Sequence, residues 1–214
     1  GDGTVWIAST GMIRRLDLKG ILPEDTSFLS CFSSNPTLDD LLNCLSVLEG
    51  QRVRRLVCIG GGSAIDVGKA LCALLGMADG VPKSYTSLRE AICQKRYLSD
   101  CRSMELIAVP TTAGTGSEVT QWGTIWDERN GKKLSVDMPA LVPDLALLVP
   151  EFTADMPARL TLSTGLDALA QAMEAFWAKA GNPLSQALAM EAVRYIREYL
   201  PMVLKDRGNK TYRE

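Results

Sequence analysis

Two runs of small residues carry the most chemistry in this chain: Gly60-Gly61-Gly62-Ser63 and Thr111-Thr112-Ala113-Gly114-Thr115-Gly116-Ser117. The first follows the apolar run Leu56-Val57-Cys58-Ile59. It precedes Ala64, Ile65, Val67, Ala70, Leu71, Leu74 and Leu75, which recur at helical spacing. A strand, a glycine turn and a helix start in that order make a cradle for an anion. Glycine lets the backbone approach a phosphate closely, and the first turn of a helix offers unpaired N–H groups with a partial positive charge. The second run repeats the arrangement after Leu106-Ile107-Ala108-Val109-Pro110. Two such turns in one domain suggest a nucleotide diphosphate held between them.

The runs differ in how much they specify. Gly60 to Lys69 is neither a GxGxxG fingerprint nor a P-loop, and taken alone it reads equally well as a strand–helix connector. Asp66 and Lys69 lie three apart on one helical face; a surface ion pair is their plain reading, with Asp66 near a cofactor hydroxyl or amide as the functional one. The run Pro110 to Thr120 is more specific, since its hydroxyls and small residues can donate many hydrogen bonds to phosphate and ribose. Histidine, the commonest metal ligand and general base, is absent from the chain.

The elements that must position these residues alternate. Strands are expected at 4–8, 28–32, 56–59 and 105–109. A helix or turn falls at 11–18, and helices at 63–75 and near 87–94, with another that Thr37 caps ahead of Leu41, Leu42, Leu45 and Leu48. Residues 122–126 and 133–136 read as a hairpin with an Asn130-Gly131 turn, and 145–149 as a further buried strand. Beyond Pro157 the pattern is helical, 161–178 and then 183–204, with Pro157 and Pro201 as brackets. The fold class is therefore α/β: a parallel-sheet nucleotide-binding domain over 1–155, covered on both faces, followed by the start of an all-α domain over 156–214.

A net charge of −2 without long charged blocks argues against a nucleic-acid surface, and no apolar run approaches the roughly 20 residues that span a bilayer. No signal peptide is visible. Cys31, Cys44, Cys58, Cys72, Cys93 and Cys101 form no CxxC pair, and several lie in apolar runs. Buried reduced thiols in a cytoplasmic protein are the reading.

Three segments together, Gly60 to Lys69, Pro110 to Thr120 and Gly165-Leu166-Asp167-Ala168-Leu169-Ala170-Gln171-Ala172-Met173-Glu174, resemble the iron-containing (group III) alcohol dehydrogenase family, as do Asn35-Pro36-Thr37 and Asn182-Pro183-Leu184-Ser185. The resemblance implies hydride transfer between NAD or NADP and a small aldehyde or alcohol. It also implies an α/β nucleotide domain, a helical domain and a divalent metal, iron or zinc, between them. The family's chains are longer, so the helical domain is expected to be truncated here.

Carried over residue by residue, the resemblance implies that Gly61, Gly62 and Ser63 hold the pyrophosphate. Thr111, Thr112 and Ser117 would line the cofactor, with Asn35 nearby and Asp66 close to the nicotinamide end. Lys133 matches a lysine that reaches the cofactor; alone it would pass for a solvated hairpin charge. Ser9 stands where many NAD-using members carry an aspartate. Without that negative charge a 2′-phosphate can enter, with Arg14 or Arg15 to neutralise it, which favours NADP. Among metal ligands Asp167 matches the family aspartate, but Gln171 replaces a histidine one helical turn on, and two later histidines would fall past Glu214. Val149 stands in the place of an aspartate in an Asp-Pro pair. On the plain reading, Asp167 is an ordinary helix residue.

The stretch 119–127, with Phe176-Trp177 and Asn182-Pro183, resembles a subgroup that reduces phosphonoacetaldehyde. Small aliphatic aldehydes are the broader expectation. A rival reading is a non-catalytic, degenerate dinucleotide-binding module without a metal centre. A sugar-phosphate dehydrogenase or dehydroquinate-synthase relative shares the fold but would want more histidine and lysine in its pocket. The last two helices bury too little to stand alone, and apolar faces left exposed on them predict self-association or poor solubility, with a homo-oligomer as the expected partner state.

Overall fold

The computed structural model describes residues 3–24, 26–99, 104–209 and 211–213. Cys101 lies outside them. The described chain forms two compact units, 1–110 with 117–148, and 111–116 with 149–214.

The first unit is built on β1 (Thr4–Ile7), β2 (Phe28–Leu29), β3 (Arg55–Gly60), β4 (Glu105–Pro110) and β7 (Leu145–Ala146), all parallel, in the order β2-β1-β3-β4-β7. Strands β5 (Trp122–Asp127) and β6 (Lys132–Asp137) make a separate antiparallel hairpin. Between them run helices α1 (Thr10–Arg15), α2 (Leu18–Ile21), α3 (Leu38–Val47), α4 (Gly62–Leu75) and α5 (Tyr85–Cys93). Parallel pairing requires crossovers, and α3 and α4 supply them for the central strands. The cap expected at Thr37 forms, as a reciprocal capping box: Thr37 Oγ1 accepts from Asp40 N at 3.0 Å, and the Asp40 carboxylate accepts from Thr37 N at 3.0 Å.

Helix α4 is the centre of the core. Ala64, Ile65, Val67, Leu71 and Leu74 are buried against Ile7, Leu56, Cys58, Leu106 and Ala108. Gly68 makes this possible, because a Cβ there would overlap Cys58 Sγ and lie 3.3 Å from Leu106 Cδ1. Alternation then sends Trp6, Val57, Ile107 and Val109 to the opposite face of the sheet. Within this unit that face borders an open cavity of about 910 Å³, so the expected cover is complete on the α4 face only.

The hairpin packs on α4 through Gly123, whose added Cβ would sit 2.9 Å from the Asp66 carbonyl oxygen. Its turn is longer than Asn130-Gly131 implied. A short 3-10 turn, Glu128–Asn130, precedes Gly131, which alone takes a positive φ of 60°. The cause is Asp127. Its fully buried carboxylate accepts from Asn130 N at 3.3 Å, Arg89 Nε at 2.7 Å and the Tyr85 hydroxyl. Burial works to raise its pKa; the bonds from Tyr85, Asn130 and Arg89 overcome this and hold it well below the usual carboxylate range.

Two other expectations are corrected. The 145–149 run pairs only at Leu145–Ala146, and Leu145, Leu147 and Leu148 are exposed, so it is an edge strand rather than a buried one. The thiols are also not uniformly buried: Cys44, Cys58 and Cys72 are, whereas Cys93 is exposed and Cys31 is partly covered, 3.2 Å from Cys44 Sγ.

The second unit contains α6 (Glu151–Ala154), α7 (Ala158–Trp177) and α8 (Pro183–Lys205). Asn182 caps α8 by accepting from Leu184 N and Ser185 N, both at 3.0 Å. Pro201 lies inside α8 rather than closing it. The two long helices approach closely where Gly165 meets Leu200, since a Cβ on Gly165 would lie 2.7 Å from Leu200 Cδ1. Leu166, Phe176, Trp177, Leu184, Leu188 and Met190 remain exposed.

Candidate dinucleotide site

Gly60 ends β3 opposite Pro110, the last residue of β4, so both glycine turns leave the same edge of neighbouring strands. A Cβ at Gly60 would stand 2.7 Å from Ala64 Cβ, which is why the chain can fold from strand straight into helix only with glycine here. Gly61 is the N-cap of α4, in extended backbone conformation, and no side chain caps the helix. The first amides of an α-helix have no intrahelical acceptor. This 14-residue helix therefore offers its N–H groups and the positive end of its dipole to an anion.

The other candidates of the first unit are each placed by their own elements. Ser9 follows β1, and its hydroxyl accepts from Met12 N at 3.2 Å, capping α1. Arg14 is exposed in the last turn of that helix. Asn35 is exposed on the loop before α3, its carbonyl held by the Ser33 hydroxyl at 2.8 Å. Ser63 donates its hydroxyl to the Ser34 carbonyl and ties that loop to the start of α4, leaving the Ser63 backbone for a ligand. Ser117 is buried where a 3-10 turn, Ser117–Val119, begins. Lys133 is exposed, its ammonium 5.2 Å from the centre of the Trp126 ring.

Asp66 and Lys69 are not a surface pair. Lys69 is fully buried, and its Nζ donates to Thr120 Oγ1 and to the Trp122 carbonyl, each at 3.0 Å. Burial pushes its pKa down to about 8, against the charges of Asp66, Glu118 and Cys58. The half-buried Asp66 carboxylate accepts a hydrogen bond from the Thr124 backbone. Burial pushes it up to about 6, with that bond and the charges of Lys69 and Lys133 working to lower it. From the sequence Lys69 was read only as a surface partner of Asp66, and Thr120 and Thr124 were given no role of their own. The available signal was a lysine set among Val67, Ala70 and Leu71, together with a glycine at 123 inside a strand.

Thr111 and Thr112 belong to the second unit. Thr111 is fully buried, and its hydroxyl has no hydrogen-bond partner. Such an orphan donor costs free energy unless a ligand or water completes it. Asp167 and Gln171 lie one turn apart on α7. Gln171 Nε2 donates to Asp167 Oδ2 at 2.9 Å and to the Gly114 carbonyl at 3.5 Å.

A metal does not fit the donors present. The amide supplies no charge, its N–H occupies the carboxylate, and no three His, Cys, Asp or Glu side chains converge among the described residues. This 214-residue chain is expected to retain under about 0.1 equivalent of iron or zinc after dialysis, where a tight site would hold one. Gln171→His is expected to raise the retained fraction. Elemental analysis of both proteins checks this; near-stoichiometric metal in the unaltered chain would contradict it.

A parallel sheet with a glycine-capped helix at the carboxyl edge of a central strand is the architecture of a nucleotide-binding α/β protein. Residues 12–150 match the iron-containing alcohol dehydrogenase family, and residues 161–214 match its C-terminal portion. The chain belongs to the iron-containing alcohol dehydrogenase family.

Among its relatives, a phosphonoacetaldehyde reductase of Streptomyces viridochromogenes is 38% identical over 174 residues, covering 80% of this chain and 43% of that protein. A probable alcohol dehydrogenase of Escherichia coli is 32% identical over 193 residues, 90% of this chain and 46% of its own length. The crystal structure of a sulfoacetaldehyde reductase from Bifidobacterium kashiwanohense, in complex with NAD+, superposes with a TM-score of 0.85 at 28% identity. The match covers 98% of this chain and 55% of that one. The chain thus spans about half the length of the proteins it resembles, or less.

Proposed function

We propose that the protein is a nicotinamide-dependent aldehyde reductase or alcohol dehydrogenase, with 1–155 binding the dinucleotide and 156–214 beginning a helical substrate domain. The observation that carries this reading is the uncapped start of α4 at Gly61, in a chain of this family. Bound there, the dinucleotide would supply or accept the hydride at its nicotinamide carbon. The amides of Gly61, Gly62 and Ser63 would hold the pyrophosphate, and Asn35, Thr111, Thr112, Ser117 and Lys133 would line the rest. Asp66 would accept from the carboxamide when ionised, and the orphan Thr111 hydroxyl would gain a partner.

Two finer readings follow from particular residues. Ser9 has no charge, its hydroxyl is spent on α1, and Arg14 stands exposed in the same helix, which supports NADP over NAD. Two relatives are named for two-carbon aldehydes with an anionic head, which supports phosphonoacetaldehyde as the substrate. The exposed apolar residues of α7 and α8 support a homo-oligomer, and the reduced thiols a cytoplasmic setting.

The test is aldehyde-dependent loss of reduced-cofactor absorbance with the full-length protein. NADPH with phosphonoacetaldehyde is expected to give the highest kcat/KM, about tenfold or more over NADH and over propanal. Clear preference for NADH overturns the NADP reading. Binding of either cofactor without turnover of any aldehyde overturns the enzymatic one.

A further inference from the structure

The passage from β2 to α3 brings two cysteines together. Cys31 follows β2 and is partly exposed, whereas Cys44 stands on α3 and is fully buried with Leu41 and Leu45. Their sulfurs lie 3.2 Å apart, and the Cys44 thiol donates to the Cys31 carbonyl at 3.7 Å. The backbone around them is fixed by bonds that involve no sulfur. The Asp40 carboxylate accepts from Ser33 N at 3.1 Å, from the Ser33 hydroxyl at 2.8 Å and from Thr37 N at 3.0 Å, which ties the segment to the first turn of α3. The Ser34 carbonyl accepts from the Ser63 hydroxyl, and the Pro36 carbonyl from Trp126 N at 2.8 Å. A disulfide needs its sulfurs about 2 Å apart, so bond formation draws these two together by only about 1 Å.

We propose that Cys31 and Cys44 are a redox-active thiol pair, which a low-molecular-weight disulfide such as oxidised glutathione converts into a bond that locks the β2–α3 segment onto α3. The proposal is independent of the dinucleotide reading. Cys31, the accessible thiol, attacks as the thiolate. Its sulfur bonds to one glutathione sulfur, the glutathione disulfide breaks, and one glutathione thiolate leaves. Cys44 then attacks the Cys31 sulfur, the mixed disulfide breaks, and the second glutathione thiolate leaves. Two electrons pass from the protein thiols to the glutathione disulfide, and the two thiol protons end on the released glutathione molecules.

The order of attack follows from access. Burial pushes the Cys44 thiol well above the usual thiol range, and its bond to Cys31 and the charges of Cys31 and Asp40 push the same way. Cys44 is therefore inert towards outside reagents and reacts only because its partner sulfur is already in contact. Cys58 and Cys72 are buried and should stay reduced, while the exposed Cys93 should take up glutathione as a mixed disulfide.

Trypsin leaves Cys31 and Cys44 in one peptide, 20–52, with no other cysteine. The experiment equilibrates the folded protein with oxidised glutathione, blocks free thiols with iodoacetamide and weighs this peptide. About nine-tenths or more of it should have lost two hydrogens, and dithiothreitol should restore both thiols. Closing a loop of this length should raise Tm by about 5 °C. Cys31→Ser should abolish the Tm gain and leave Cys44 unmodified, whereas Cys44→Ala should trap one glutathione on Cys31. A peptide that stays reduced while Cys93 takes up glutathione would overturn the proposal. So would glutathione on both cysteines with no bond between them, or a bond that forms only after urea has unfolded the chain. A bond formed with Tm unmoved would overturn the lock, and rapid glutathione uptake by Cys44 in Cys31→Ser would overturn the order of attack.

Discussion

Gly68→Val is expected to cost the first unit about 3 kcal/mol or more, lowering Tm by about 10 °C or preventing soluble expression. The reason lies in the approach of α4 to the sheet. At Gly68 the helix backbone rests on Cys58 of β3, with Leu106 of β4 and Ile7 of β1 beside it, and any Cβ would enter the space of the Cys58 sulfur. The neighbours cannot yield, since Ile7, Cys58 and Leu106 are all fully buried in the same core. Cys58→Ala should relieve part of the overlap, so the double substitution should be more stable than the sum of the single changes by about 1 kcal/mol. Thermal unfolding followed by circular dichroism measures both. A Gly68→Val protein within about 2 °C of the parent would mean that α4 does not lie on β3 in this way.

The second large effect is one in which stability and binding move in opposite directions. Gly61→Asp places at the N-cap of α4 a residue that suits that position better than glycine, and the extended backbone there, φ −73° and ψ −172°, accepts it without strain. The carboxylate can take the free amides that glycine leaves open, and its charge suits the helix dipole. Stability should therefore hold or rise by a few tenths of a kcal/mol. The same carboxylate sits where the pyrophosphate is proposed to lie. Dinucleotide affinity should fall by about 100-fold or more, through the loss of donors and the repulsion of like charges. An equal fall in both quantities would point to a damaged fold, and unchanged affinity would remove the α4 terminus from the site.

Much of this architecture could be read from residue order. Strands β3 and β4 are apolar runs that end in small residues, and α4 carries an unbroken helical period, so the strand–turn–helix layout is legible in the sequence. The capping residue Thr37 was likewise visible, because a cap is a local bond. What escaped notice depended on partners remote in sequence. Lys69 resembled a surface charge because the groups that satisfy it, Thr120 and Trp122, come some fifty residues later. The Asn130-Gly131 pair promised a two-residue turn, but the Asp127 side chain competes for Asn130 N and adds a turn of 3-10 helix. The 145–149 run is apolar enough for a central strand. It pairs at the sheet edge instead, where Leu147 N reaches the Ala108 carbonyl and the side chains stay exposed.

The ligand pair that the resemblance implies, Asp167 with Gln171, does not fit a metal. Asp167 and Gln171 keep the one-turn spacing of a ligand pair, yet they bond to each other. An amide in place of an imidazole offers a neutral oxygen instead of a good donor nitrogen, and its N–H is already bonded to the Asp167 carboxylate and the Gly114 carbonyl.

The central claim is that a pyridine dinucleotide is gripped by the backbone at the start of α4, and amide chemical-shift mapping of the unaltered protein during titration with NADPH and NADH tests it most directly. The account predicts saturable shifts centred on Gly61, Gly62 and Ser63, with Thr124 moving as Asp66 is engaged, and a Kd between about 1 μM and 1 mM. Shifts that saturate elsewhere and leave these amides unmoved would contradict it.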